Sequence, residues 1–106
     1  MDLDRTILIE FKETLKKRYG DQILKVILFG SQARGDFEEE SDIDLAVIVR
    51  QWSPELRDEI YDVAAAWELK HERVLSVLLM SEGDFVRLKE RERRIALDIE
   101  REGVPL

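Results

Sequence analysis

The chain has 106 residues, 44% of them hydrophobic, a formal net charge of −7 and no cysteine. That length suits one domain over residues 1–106 with its own core, and the missing thiols exclude a disulfide framework and a thiolate metal site. An acidic chain without a basic stripe is a poor match to an extended nucleic acid, no apolar run reaches the ~20 residues of a membrane span, and the acidic start Met1-Asp2-Leu3-Asp4 is unlike a secretory signal. A cytoplasmic protein is expected.

In chain order, Leu3, Ile7, Phe11 and Leu15 recur every four residues, with Leu8 widening the stripe, which predicts an amphipathic helix over 3–19 ended by Gly20. Residues 23–29 close on the apolar run Val26-Ile27-Leu28-Phe29, a buried strand that stops at Gly30-Ser31 and leads into a turn and short helix over 30–36. Asp42-Ile43-Asp44 opens a second strand over about 43–50, after the acidic run Glu38-Glu39-Glu40, which reads as a solvated loop. Ser53-Pro54 supplies an N-cap and a proline at the first helical position, with Leu56, Ile60, Ala64 and Trp67 marking the buried side of a helix over 54–70. Trp52 and Tyr61 read as packing groups, Trp52 being the one suited to a partner surface, and His71 as a surface or capping residue. Val74 to Met80 forms a third strand, and Ser81-Glu82-Gly83-Asp84 a capping box before a helix burying Phe85 and Leu88. The mixed-charge stretch Lys89 to Arg94 has spacings for i,i+3 and i,i+4 pairs on a helix surface, and a last helical stretch with Ile95 and Ile99 ends at Gly103 and Pro105. The pattern is α/β: a small mixed sheet backed by helices, with a site at one strand end.

The residues suited to chemistry lie at the junction of the first two strands. Gly30 lets another group approach its backbone closely, and Ser31 offers an N–H and a hydroxyl to a phosphate oxygen. Asp42 and Asp44, two apart in a strand, project from one face with Cα atoms ~6.5–7 Å apart, a spacing at which two carboxylates can share divalent metal in phosphoryl transfer. Arg34 is placed either to meet triphosphate charge or to lock the loop beside Asp36, and Ser41 to cap the turn before Asp42. No Gly-x-x-x-x-Gly-Lys or Gly-x-Gly-x-x-Gly is present, which counts against P-loop and dinucleotide-binding folds.

Gly30-Ser31-Gln32-Ala33-Arg34-Gly35-Asp36 followed by Ser41-Asp42-Ile43-Asp44-Leu45 resembles the signature of the DNA polymerase β-type nucleotidyltransferase superfamily, and in particular its minimal, stand-alone domains. The resemblance covers nearly the whole chain. It implies a nucleotidyltransferase fold, Asp42 and Asp44 as catalytic metal ligands for Mg²⁺, Gly30, Ser31 and Arg34 at the nucleotide, and transfer of AMP from ATP. It further implies an antitoxin role, in which a tyrosine of a small helical HEPN partner is modified and its RNase activity silenced. Competent members of the family carry a third carboxylate on the third strand; alignment puts Ser76 there, and Glu72, four residues earlier, would lie about 13 Å away along the strand. The residues thus support an adenylyltransferase, with a catalytically impaired nucleotidyltransferase-like binding protein as the alternative and homo-oligomerisation left open. A small-molecule acceptor fits less well, because 106 residues leave no second domain to form its pocket.

Overall fold

A computed structural model of the chain describes residues 5–30 and 42–106. Helix α1 (Arg5–Tyr19) and a single 3₁₀ turn (Gly20–Gln22) lead into β1 (Ile23–Phe29). After β2 (Ile43–Val49) come α2 (Pro54–His71), β3 (Leu75–Ser81), α3 (Glu82–Glu90), α4 (Arg94–Glu102) and the two-residue β4 (Val104–Pro105). Among the described residues these strands form one mixed sheet in the order β3-β2-β1-β4, with β1 antiparallel to β2 and β4 and β2 parallel to β3. The turn beyond Gly30, the short helix expected over 30–36, Glu38 to Glu40 and Ser41 lie outside the described residues.

Side-chain alternation along each strand divides the interior between the two sheet faces. Ile43, Leu45, Val47 and Val49 of β2 point to the face covered by α1 and α2, where Leu8, Phe11, Leu15, Ile60 and Trp67 complete the larger cluster. Ala46 and Ile48 point to the other face, where Phe29, Met80, Phe85, Ala96 and Ile99 form a second cluster under α3 and α4. The continuous apolar character of β2 has its cause here: a central strand covered by helices on both sides has no solvent face to make polar. Each fully buried large side chain, Phe11 among them at 1% exposure, is worth about 1.5–3 kcal/mol.

Local signals set the element boundaries. Ser53 Oγ accepts the Leu56 N–H at 3.1 Å with Pro54 at the first helical position, and Glu72 ends α2 in the left-handed region at φ 54°. Ser81 Oγ accepts the Asp84 N–H at 3.1 Å and starts α3 directly from the last residue of β3. The mixed-charge stretch does not continue as one helix. It breaks after Glu90, Glu92 adopts φ 54°, and Lys89 pairs across the break with Glu100 of α4 at 3.1 Å. At Gly103 a Cβ would lie 2.2 Å from the Ile99 carbonyl oxygen and 2.4 Å from Ile27 Cγ2, so only glycine lets the chain pass close over β1 and pair there as β4. Leu88 is partly buried against the second cluster, and Tyr61, expected as a packing group, is 45% exposed.

Candidate functional site

The β1–β2 register builds the site from its backbone. Phe29, the last residue of β1, pairs with Asp44, and Gly30 follows at φ 74°, a conformation that side chains other than glycine rarely adopt. A Cβ on Gly30 would stand 2.5 Å from Asp44 Oδ2 and 3.3 Å from its Cγ, so the Gly30 backbone lies directly against that carboxylate. Glycine is required here twice, by dihedral angle and by space.

On its other side Asp44 pairs with Ser76 in the parallel β2–β3 register. Paired residues on neighbouring strands project from one face, so Phe29, Asp44 and Ser76 form a row across three strands at the end of the α3/α4 face. Glu72 takes no part in that row, because it is the left-handed cap of α2 and precedes β3 altogether. Asp42 stands exposed one residue before β2, and its neighbour Ile43 fastens the strand entrance by donating its N–H to the Val74 carbonyl at 3.0 Å. Partial burial pushes the Asp44 carboxyl above its ordinary value of 3.8, and the nearby Asp42 charge adds to the rise. Two acids at one strand entrance, one of them partly desolvated, repel each other.

That repulsion is the physical test of whether the residues fit a divalent cation, and they pass it. Carboxylate oxygens are the hard donors Mg²⁺ prefers, and a cation between Asp42 and Asp44 would relieve both the mutual charge and the burial cost. Among the described residues no group of three or more His, Cys, Asp or Glu side chains converges on a metal position. Water and phosphate oxygens are the usual further ligands of Mg²⁺. Ser31 and Arg34 lie outside the described residues.

The other polar features lie elsewhere. A cavity of about 150 Å³ between α1 and α2 is lined by Glu10, Phe11 and Trp67 among others, on the sheet face opposite Asp44. At its rim Glu10 binds Lys70 and, at 3.2 Å, His71, whose ring lies 4.7 Å from that of Trp67. Trp67 donates its indole N–H to the Ile7 carbonyl at 2.7 Å. His71 therefore ties two helices together. Trp52 is 42% exposed, with the Arg57 guanidinium 5.7 Å from its ring centre. Arg73 lies directly before Val74 at the same end of the sheet as Asp42, and its Nη2 is buried with no hydrogen-bond partner among the described residues.

Comparison with known proteins identifies the family and the fold. The nucleotidyltransferase domain family matches residues 8–104. The chain belongs to that family. Among relatives, "Putative protein adenylyltransferase MJ0141" of Methanocaldococcus jannaschii is 37% identical over 75 residues, 69% of this chain and 75% of that protein. Among solved nucleotidyltransferase structures, "Structure of putative minimal nucleotidyltransferase" superposes with a TM-score of 0.63 and 26% identity, covering 100% of this chain and 97% of the other. "Crystal structure of the toxin-antitoxin with AMP-PNP" shares the fold, with a TM-score of 0.63 at 17% identity over 97% of this chain and 72% of that one. The mixed four-stranded sheet with helices on both faces is thus the nucleotidyltransferase fold, and the Asp42–Asp44 entrance is its candidate site.

Proposed function

We propose that this chain binds MgATP at the junction of β1 and β2 and transfers AMP to a hydroxyl of a protein partner, as the antitoxin of a small helical HEPN toxin in the cytoplasm. The observation that carries the reading is the Gly30 backbone seated against the Asp44 carboxylate, because it joins a turn able to receive phosphate to the residue suited to hold metal. The family match, the relative named as a protein adenylyltransferase and the toxin-antitoxin structure of the same fold support the choice of chemistry and partner.

Asp42 and Asp44 would hold the Mg²⁺, which when bound neutralises triphosphate charge. Gly30 leaves room for the phosphates, Ser31 would donate to a phosphate oxygen, and Arg34 would meet the remaining negative charge. The acceptor hydroxyl oxygen, a tyrosine of the partner, attacks the α-phosphorus. A new P–O bond forms, the bond from the α-phosphorus to the bridging oxygen breaks, pyrophosphate departs with the electron pair, and the hydroxyl proton passes to solvent. Positioning and electrostatics supply the rate in such a site, since the protein forms no covalent bond to the nucleotide.

One specific observation favours the second reading, a binding protein with little turnover: β3 puts the hydroxyl of Ser76, not a third carboxylate, beside Asp44. A hydroxyl is a weak metal ligand and a poor base. Co-expression with the products of the genes neighbouring this one, followed by intact mass measurement, separates the readings. A mass increase of one or more AMP units on a partner tyrosine is expected. A stable complex without added mass favours the binding protein, and neither complex nor modification contradicts both.

A further inference from the structure

Among the described residues β3 is an edge strand with one side unpaired by any other strand. Its inner side is fixed by the ladder to β2, with the Val74 carbonyl accepting the Ile43 N–H, so backbone groups of Ser76, Leu78 and Met80 also turn inward and those of Leu75, Val77 and Leu79 turn outward. The Leu75 N–H bears this out, since it is taken at 2.9 Å by a Glu68 carboxylate oxygen reaching from α2. Beyond Leu75 no strand among the described residues pairs with this edge. Natural edges are commonly blunted by charge, proline or shortness. The opposite edge, β4, has two residues and includes Pro105, whereas β3 runs seven residues, Leu75–Ser81, without a charge or a proline.

Alongside the open edge lies a groove of about 220 Å³ lined by Tyr61, Ala64, Glu68, Leu75 and Val77. One wall is the strand and the other is α2, the arrangement that receives a peptide as an added strand. Its chemistry is apolar along Ala64, Leu75 and Val77 and acidic at Glu68. Glu68, the one charged residue among those lining the groove, favours a basic side chain in the occupant.

We infer that the β3 edge and the α2 groove bind an extended, basic segment of the protein acceptor as a fifth strand. The inference rests on the transfer function proposed above for the identity of the occupant. The segment would use the outward groups of Val77 and Leu79, place alternate apolar side chains in the groove, and set a lysine or arginine against Glu68. Its other side chains fall on the face carrying Ser76 and Asp44. Strands lie ~4.8 Å apart, so a residue of the added strand level with Ser76 is one spacing from Ser76 and two, roughly 10 Å, from Asp44. A long hydroxyl-bearing side chain there stands on the same face as Asp44 and can lean toward it, and small Ser76 leaves the approach clear.

The test uses the full chain, ¹⁵N-labelled, and a pool of nine-residue capped peptides in which one set of alternate positions, for the groove, carries Val or Thr with one Lys or Arg, and the other set carries Gln or Thr around a central Tyr. Saturating peptide should slow amide exchange at Val77 and Leu79 by about tenfold or more, while Ser76 and Leu78, already in the β2 ladder, stay unchanged. V77P, which deletes an outward donor, should abolish binding. Should V77P not fold, Tyr61→Lys on the exposed side of α2 decides the matter, with an expected loss of about tenfold in affinity. Failure of the peptides to bind, binding without protection of Val77 and Leu79, or undiminished binding to Tyr61→Lys overturns the inference. ATP titration of the same sample separates the two levels. Edge protection without ATP binding leaves the docking site standing and removes the transfer function; ATP binding without edge protection does the reverse.

Discussion

Replacing Gly30 by alanine tests the contact on which the site is built. The residue sits at φ 74°, and the added Cβ would stand 2.5 Å from Asp44 Oδ2, closer than real Cβ contacts come. The left-handed conformation costs an alanine about 1–2 kcal/mol in any background. The clash costs less than its distance suggests, because a carboxylate can rotate away; a displacement of ~30° from its rotamer is worth about 1 kcal/mol. Gly30→Ala should therefore destabilise the protein by about 2–3 kcal/mol, lowering Tm by roughly 8–20 °C for a domain of this size. In an Asp44→Ala background the nearest remaining atom is the residue 44 Cβ at 3.5 Å, an ordinary contact, so the same substitution should lose only the conformational part. A double-mutant cycle by urea denaturation should thus return a coupling of about 1 kcal/mol. The functional effect should be larger, since moving a ligating carboxylate by ~1 Å costs on the order of 10²-fold in a positioned site. Equal destabilisation by Gly30→Ala in both backgrounds, with Mg²⁺-dependent ATP binding unchanged, would show that Gly30 and Asp44 are not coupled.

Further outcomes follow from other residues. Because burial and then Asp42 raise the Asp44 pKa above 3.8, the folded state holds this proton more tightly than the unfolded chain, and stability is lost as pH rises from that value through the raised one. Asp44→Asn should accordingly gain Tm relative to wild type on going from pH 3.5 to pH 7, and a relative loss over that interval would contradict the assignment. Glu10 is shifted the other way, chiefly by its hydrogen bond to Lys70, so its contribution is present above the ordinary value of 4.5 and disappears as pH falls through the lowered one. Glu10→Gln should lower Tm at pH 7 and do so less as pH falls below 4.5, as differential scanning calorimetry would show. Ser76→Asp, which adds a carboxylate beside Asp44, should tighten Mg²⁺-dependent ATP binding and raise AMP transfer by about 10²–10⁴-fold, whereas Glu72→Gln, on the cap of α2, should leave both as they are; labelled AMP incorporation into the partner would expose the reverse pattern.

Much of the fold was legible because burial imposes periodicity. The stripe of Leu8, Phe11 and Leu15, the run Leu45 to Val49 and the two serine caps each follow from one local rule, and each appears where the residues put it. The break between α3 and α4 was not legible, since Lys89 to Arg94 has ordinary helix spacing and its interruption depends on Glu92 entering the left-handed region. β4 was missed for a related reason: Gly103 and Pro105 read as stops, and only the close approach of Gly103 to Ile99 and Ile27 turns the stop into a strand pairing. His71 read as a surface or capping residue, and its tie to Glu10 was not legible because that partner is 61 positions away. At the site, the Asp42–Asp44 pair and the placement of Ser76 could be argued from parity and alignment, and the register sets Ser76 beside Asp44. The contact between Gly30 and Asp44 could not, because it needs the antiparallel register of β1 and β2.

We propose that Gly30, Asp42 and Asp44 form one metal-dependent nucleotide site. Its most direct test is a calorimetric titration of ATP into the wild-type protein and into folded Asp42→Asn and Asp44→Asn variants, with Mg²⁺ and with EDTA. Saturable binding by the wild type in Mg²⁺, at least tenfold weaker in EDTA and in either variant, is the result predicted. Equal binding with and without metal, or variants that bind as the wild type does, would contradict it.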